Sequence, residues 1–184
     1  MSPVDLWLWR HPRAQGAAGR CIGRTDLPVD RRRAKRLAHR IRRVARRAGL
    51  PHIVWTSPLQ RCAAVGRWLR RWGWRHHVDM RLAELDFGRW DGLPWTEIAA
   101  QDVAAWEADF AQHRVGGGES LQQLIERQRS FIAQVAGEAQ PLLVVSHAGW
   151  MQALRWAALH AALPQAHQWP SPPRHGELLR WRMD

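Results

Sequence analysis

Short apolar segments alternate along the chain with longer stretches in which apolar residues recur every three or four positions. The short segments, at 6–9, 52–56, 78–82, 142–146 and 178–182, read as strands. The long ones read as helices. The first covers 31–47 and places Ala34, Leu37, Ala38, Ile41, Val44 and Ala45 on one face, with Ala48 continuing the stripe. A second, 59–72, aligns Cys62, Val65, Gly66 and Leu69, and a third is expected at 103–112. The fourth, 120–139, carries Leu121, Leu124, Ile125, Ile132, Val135 and Ala139, and a fifth spans 150–163. Strands separated by helices predict an α/β fold: a three-layer sandwich with a mostly parallel central sheet and helices on both faces. Gly116-Gly117-Gly118 and Pro170-Ser171-Pro172-Pro173 are loops by composition and too short to divide domains. Residues 1–184 therefore read as a single domain, with no internal repeat.

Composition narrows the class. With 46% apolar and 24% charged residues, the 184-residue chain can bury an ordinary core, which excludes wholesale disorder and collagen-like structure. No apolar run reaches bilayer length, so no membrane association is expected. The first ten residues lack a basic segment before their apolar stretch and a small-residue cleavage site after it, which makes a poor secretory signal and predicts a cytoplasmic protein. Cys21 and Cys62 stand in no metal-ligand spacing and are expected as reduced thiols.

Charge points in two directions. The 28 basic residues exceed the 16 acidic ones, giving a formal net charge of +12. A basic face can neutralise phosphates. Yet Lys35 is the only lysine, Tyr and Asn are absent and Trp is abundant, as a GC-rich coding sequence would impose on any fold. The arginines of 31–47 fall opposite the apolar stripe, on a face that water can solvate. Nucleic acid is accordingly not expected as a partner, and the sequence leaves oligomeric state open, a homodimer included.

Ligands of α/β sheets sit beyond the carboxyl ends of the strands, so the polar residues at those ends are the candidates. The first strand ends in Arg10-His11-Pro12, the second in Thr56-Ser57-Pro58 with Arg61 a turn later, and the fourth in Ser146-His147-Ala148-Gly149; Glu84 follows the third. Two guanidinium groups and two imidazoles suit a tetrahedral oxyanion, and phosphate is the natural guest. An imidazole is also a competent nucleophile at neutral pH, the arginines would stabilise a transferring phosphoryl group, and a carboxyl group would protonate the departing alkoxide. No metal or other cofactor is required by this chemistry, and no His-Glu-x-x-His or Cys-x-x-Cys is present to hold a metal.

These residues also carry a resemblance. Leu8-Trp9-Arg10-His11, Gly23-Arg24-Thr25-Asp26-Leu27-Pro28, Ser57-Pro58-Leu59-Gln60-Arg61, Leu82-Ala83-Glu84-Leu85-Asp86-Phe87-Gly88-Arg89-Trp90-Asp91-Gly92, Gly118-Glu119-Ser120 and Val144-Val145-Ser146-His147-Ala148-Gly149 resemble the ordered motifs of the histidine phosphatase superfamily, with its phosphoglycerate-mutase-like fold. The resemblance implies that His11 is the phosphorylated nucleophile, that Arg10, Arg61 and His147 bind the phosphoryl group, and that Glu84 donates the proton. It further implies a small phosphomonoester as substrate; Gly23, Arg24, Thr25 and Ala148 are the candidates to contact it, unless Gly23 to Asp26 simply turn the chain.

The short length, the 21–26 stretch and the region from Ala105-Trp106 to Ser120 are most similar to the α-ribazole phosphatases, which remove the 5′-phosphate from an intermediate of the lower cobalamin loop. The alternatives are a phosphoglycerate mutase or broad sugar-phosphate phosphatase on the same scaffold, and a polyanion binder without catalysis. Two departures stand out. Pro12 replaces the usual Gly and removes a backbone N–H, and the Asn found a few residues later in many members is absent. Trp90 and Trp150, beside the motifs, are candidates to stack on a planar leaving group. Glu119 either faces the site or not, Ser120 equally suits a helix cap, and His39, His52, His76, His77, His113, His160, His167 and His175 read as surface or structural residues.

Overall fold

The computed structural model describes residues 4–135 and 140–183. Five strands form one sheet: β1 (Val4–Arg10), β2 (Ile53–Thr56), β3 (Arg75–Val78), β4 (Leu142–Ser146) and β5 (Leu178–Met183), in the spatial order β3-β2-β4-β1-β5. Four are parallel and only β5, on the edge beside β1, is antiparallel. The helices are α1 (Arg31–Ala48), α2 (Gln60–Arg71), α3 (Ala100–Ala108), α4 (Leu121–Val135) and α5 (Ala148–Leu159).

Strand alternation decides which side chain faces which layer. Leu6 and Leu8 of β1 and Leu142 and Val144 of β4 point to one face, where they join the apolar residues of α4 and α5. Trp7, Trp9, Leu143 and Val145 point to the other and meet Leu37, Ile41, Val65 and Leu69 of α1 and α2. The predicted three-layer arrangement follows from this two-sided burial. Helix α1 starts where the Asp30 carboxylate accepts the Arg33 amide at 2.8 Å and stops at Gly49, whose φ of 63° suits the left-handed cap.

Several boundaries differ from the pattern-based expectation. The third strand lies at Arg75–Val78 rather than 78–82. Asp79 accepts the Arg81 amide at 2.8 Å and grips the Arg81 guanidinium at 2.6 Å, which turns Met80–Leu82 into a 3-10 turn, so Glu84 follows that turn instead of a strand. The apolar alternation Val78, Met80, Leu82 fitted both conformations. Helix α3 begins three residues before its expected start, and α5 begins at Ala148 and ends four residues early. The last four residues of the expected 120–139 helix lie outside the described residues. No helix among the described residues is long and apolar enough to cross a membrane.

The packing generates a stability test. Leu69 is fully buried between α2 and the sheet, so Leu69→Ala is expected to cost about 2–5 kcal/mol in chemical denaturation. Arg43→Ala, on the exposed face of α1, is expected to stay within ~0.5 kcal/mol.

Candidate active site

The sheet register assembles the first pair. Arg10 is opposite Ser146 in the parallel β1–β4 ladder, and the His11 amide donates to the Ser146 carbonyl at 3.0 Å. His11 and His147 therefore leave neighbouring strands side by side, with ring centroids 5.0 Å apart. Arg61 joins them from the first turn of α2. Its side chain, in a residue only 1% exposed, donates Nε–H to His147 Nδ1 at 3.2 Å, Nη1 to the Thr25 carbonyl at 2.9 Å and Nη2 to the Gly23 carbonyl at 2.5 Å. Glu84 sits against the start of α5, where its carboxylate accepts the amides of Gly149 at 3.1 Å and Trp150 at 3.2 Å, besides its neighbour Leu85 at 3.1 Å. Amides at a helix start attract negative charge. A Cβ on Gly149 would lie 2.6 Å from Glu84 Oε1, so glycine is what lets the carboxylate reach this seat.

Hydrogen-bond partners assign the tautomers. His11 Nδ1 lies 2.7 Å from the Pro12 carbonyl, which can only accept, so Nδ1 carries the proton and Nε2 the lone pair. Pro12 thus lacks the N–H, as its residue type requires, yet contributes the carbonyl that orients the ring. In His147 the assignment is reversed, because the Arg61 Nε–H can only donate to Nδ1. Burial pulls the pKa of both imidazoles well below the ordinary value of 6.5, and the Arg61 charge pushes in the same direction. Both rings are neutral at neutral pH.

Cys62 Sγ lies 3.4 Å from His147 Nε2 and 3.6 Å from the Ser146 carbonyl, but burial raises its pKa far out of the reactive range. Cys21 is likewise pushed up to about 12, mainly by burial. Both cysteines are free and buried.

A cavity of about 550 Å³ opens over this group. Arg10, His11, Arg61, Glu84 and Ala148 line it, whereas His147 lies one layer behind, fully buried. Arg10 donates Nη1 to the Pro173 carbonyl at 2.7 Å, while its buried Nε has no partner among the described residues. The same cavity is lined by a contiguous aromatic wall: Phe87, Trp95, Trp106, Phe110 and Trp169. Trp90 and Trp150 are not part of it. Both are packed in the core, and the Trp150 indole is tied to the Arg81 carbonyl at 2.9 Å.

Gly23, Arg24 and Thr25 do not line the cavity. Their backbone is folded around Asp91, whose carboxylate accepts the amides of Gly23 and Thr25, each at 3.0 Å, and that of Arg24, and this leaves the Gly23 and Thr25 carbonyls aimed at Arg61. Ser120 is the cap: its Oγ accepts the Gln123 amide at 3.2 Å, and Gln123 returns a bond to the Ser120 amide at 3.0 Å. Glu119 holds Arg127 at 2.6 and 3.0 Å, and Arg127 in turn donates to the Arg81 and Glu84 carbonyls at 2.6 and 3.0 Å. These two motifs position the site without entering it.

His175 belongs to the site although the pattern of the sequence set it among the surface histidines. It lines the cavity, and its Nδ1 is 3.2 Å from the His11 carbonyl. Antiparallel pairing of β5 with β1 brings the chain entering β5 over the end of β1, as the Gly176 amide bound to the Arg10 carbonyl at 3.0 Å illustrates. The signal was the edge strand: the residues just before it had to arrive where β1 ends. Among the described residues, no group of three or more His, Cys, Asp or Glu side chains is placed to hold a metal ion.

Comparison with known proteins gives a consistent picture. The sequence pattern of the Histidine phosphatase superfamily (branch 1) matches residues 6–182. The chain is 31% identical over 167 residues to glucosyl-3-phosphoglycerate phosphatase of Mycobacterium tuberculosis, with 73% of this chain and 72% of that protein covered. It is 27% identical over 181 residues to fructose-2,6-bisphosphatase of Saccharomyces cerevisiae, where 94% of this chain spans only 38% of the yeast protein. The solved structure of a mycobacterial glucosyl-3-phosphoglycerate phosphatase superposes with a TM-score of 0.80 at 26% identity, covering 97% of this chain and 89% of the other.

Two expectations follow from the geometry. Gly149→Ala is expected to evict the Glu84 carboxylate from α5 while changing stability by less than about 1 kcal/mol, because the helix propensity gained offsets the bonds lost; a crystal structure and denaturation of the variant check this. The lowered pKa values of His11 and His147 mean that below about 6.5 the unfolded chain binds more protons than the folded one. Stability is therefore expected to be greatest above that pH and to fall as acid is added, with a shallower fall in His11→Gln/His147→Gln.

Proposed function

The chain belongs to the Histidine phosphatase superfamily (branch 1) and is a phosphatase; on that premise we propose that it is a metal-independent phosphomonoesterase working through a phosphohistidine at His11. The observation that carries this reading is the tautomer of His11, neutral and held by Pro12 with its Nε2 lone pair unengaged beside Arg10 and Arg61. In the first step Nε2 attacks phosphorus, and the bond from phosphorus to the ester oxygen breaks. The leaving oxygen takes its proton from Glu84, acting as the general acid. In the second step water attacks the phosphohistidine, its proton returns to Glu84, and inorganic phosphate leaves as the His11 lone pair is restored. Arg10 and Arg61, which line the cavity, stabilise the phosphoryl oxygens in both steps, while His147 acts from behind as the acceptor that orients the Arg61 Nε–H.

For the leaving group, the aromatic wall favours a planar ring over a polyhydroxylated sugar, since flat π faces stack with Trp106, Phe110 and Trp169. This supports α-ribazole 5′-phosphate, whose benzimidazole fits that description. The named relatives are a fructose-2,6-bisphosphatase and a glucosyl-3-phosphoglycerate phosphatase, both with sugar-containing phosphoesters in their names, and they favour the second reading, a broad sugar-phosphate phosphatase with the same chemistry.

The test is phosphate release from a panel of phosphomonoesters that contains α-ribazole 5′-phosphate and glucosyl-3-phosphoglycerate, in the presence of a chelator. Turnover is expected to survive the chelator and to fall by about 10³-fold or more in His11→Ala. Trp106→Ala is expected to lower kcat/KM for α-ribazole 5′-phosphate by roughly tenfold, the worth of one aromatic contact, and to leave glycerol phosphate unaffected. Loss of turnover with chelator sinks the metal-independent mechanism, and preference for the sugar ester replaces the ribazole reading with the second one.

A further inference from the structure

The positive charge of this chain is not spread over it. Residues 31–78 contain fifteen of the 28 basic residues and none of the sixteen acidic ones, so the rest of the chain holds thirteen basic against sixteen acidic and is net negative. A GC-rich coding sequence exchanges lysine for arginine at constant charge; it does not delete acids. At the acidic density of the remaining chain, about six would be expected in this stretch.

The fold gathers the segment on one face. α1 and α2 pack side by side over the same side of the sheet and turn their arginines outward, while Arg61 alone is drawn into the catalytic group. The three ion pairs among the described residues, Arg24–Glu119, Arg81–Asp79 and Arg127–Glu119, involve no arginine of α1 or α2. Asp30 and Asp79 flank the stretch in sequence; Asp79 is taken by Arg81, and the carboxylates of Asp30 and Asp26 cap the starts of α1 and α2 by accepting the Arg33 and Gln60 amides. The cations are instead arranged around a ring. Arg31, Lys35 and Arg71 lie 5.2, 5.1 and 5.8 Å from the Trp68 centroid, beside a groove of about 520 Å³ whose rim carries Arg67 and Arg70.

Mutual repulsion of so many unneutralised cations is a cost to the free protein that a phosphate polyanion would relieve. The predominance of arginine suits forked contacts to phosphate oxygens. A membrane surface fits less well: among the described residues the exposed large apolar side chains are Val78, Met80, Trp95, Leu159 and Leu163, none of them on α1 or α2, and Trp68 is half-buried beneath its cations.

We propose that the α1–α2 face is a docking surface for the phosphate backbone of nucleic acid, bound without base readout and separate from the catalytic cavity. This reverses the expectation from composition alone, and it does not rest on the substrate reading above.

The experiment is fluorescence anisotropy of a short labelled single-stranded oligonucleotide with the full chain, titrated between about 50 and 200 mM salt, beside the same titration of Arg67→Gln/Arg70→Gln. The wild-type affinity is expected to fall at least tenfold across that range. The double variant is expected to bind more weakly with a salt slope reduced by about 1.5, and to keep wild-type phosphatase turnover, which certifies its fold. No binding at ~50 mM salt, or equal affinity and slope in the variant, overturns the proposal. So does an oligonucleotide that competes with substrate equally in both proteins, since it then binds at the cavity. Binding to inorganic polyphosphate or to phosphatidylserine vesicles, with none to the oligonucleotide, overturns the assignment to nucleic acid.

Discussion

The buried guanidinium of Arg61 is the constraint around which the site is organised. A charge removed from water is tolerated only when its donors are satisfied, and here no carboxylate does so: two backbone carbonyls and an imidazole nitrogen take its protons. Each partner must be held in turn. Asp91 folds residues 23–25 so that their carbonyls face inward, and the β4 register fixes His147. Because the compensation is made by dipoles, the positive charge persists within the site. It adds to burial in keeping His11 and His147 neutral, and it is available to an incoming phosphoryl group.

Much of this was legible in the sequence because the relevant pattern was simple. Unbroken apolar runs at Leu6 to Trp9 and Leu142 to Val145 predict two strands buried on both faces, and parallel strands side by side bring whatever follows them together; His11 and His147 needed no more than that. Arg61 followed from its place one turn into a helix at the same sheet edge. What stayed hidden depended on partners distant in sequence. Nothing local distinguishes Asp91 from Asp86, or Phe87, Trp106, Phe110 and Trp169 from other aromatic residues in a tryptophan-rich chain. His175 was concealed for the same reason, since its position is set by the pairing of β5 with β1. The third strand was misplaced because Asp79, a local hydrogen-bonding residue, overrode an apolar alternation.

The molecule also separates its charges by function. Inside the cavity Arg10 is held by Pro173 and Arg61 by Gly23 and Thr25, bonds that fix the direction of each. On the α1–α2 face the cations are exposed and share no carboxylate among the described ion pairs. The first arrangement is suited to one small tetrahedral anion at defined geometry. The second is suited to an extended anion whose contacts are numerous and individually weak.

The most direct test of the account is rapid quenching of the enzyme during turnover under alkaline conditions, which preserve phosphohistidine, followed by peptide mapping and NMR assignment of the phosphorylated nitrogen. Because Pro12 occupies the Nδ1 proton and leaves the Nε2 lone pair free, the proposed phosphohistidine mechanism predicts phosphate on Nε2 of His11. Phosphate on His147, on Nδ1 of His11, or on no histidine while substrate is being consumed would contradict it.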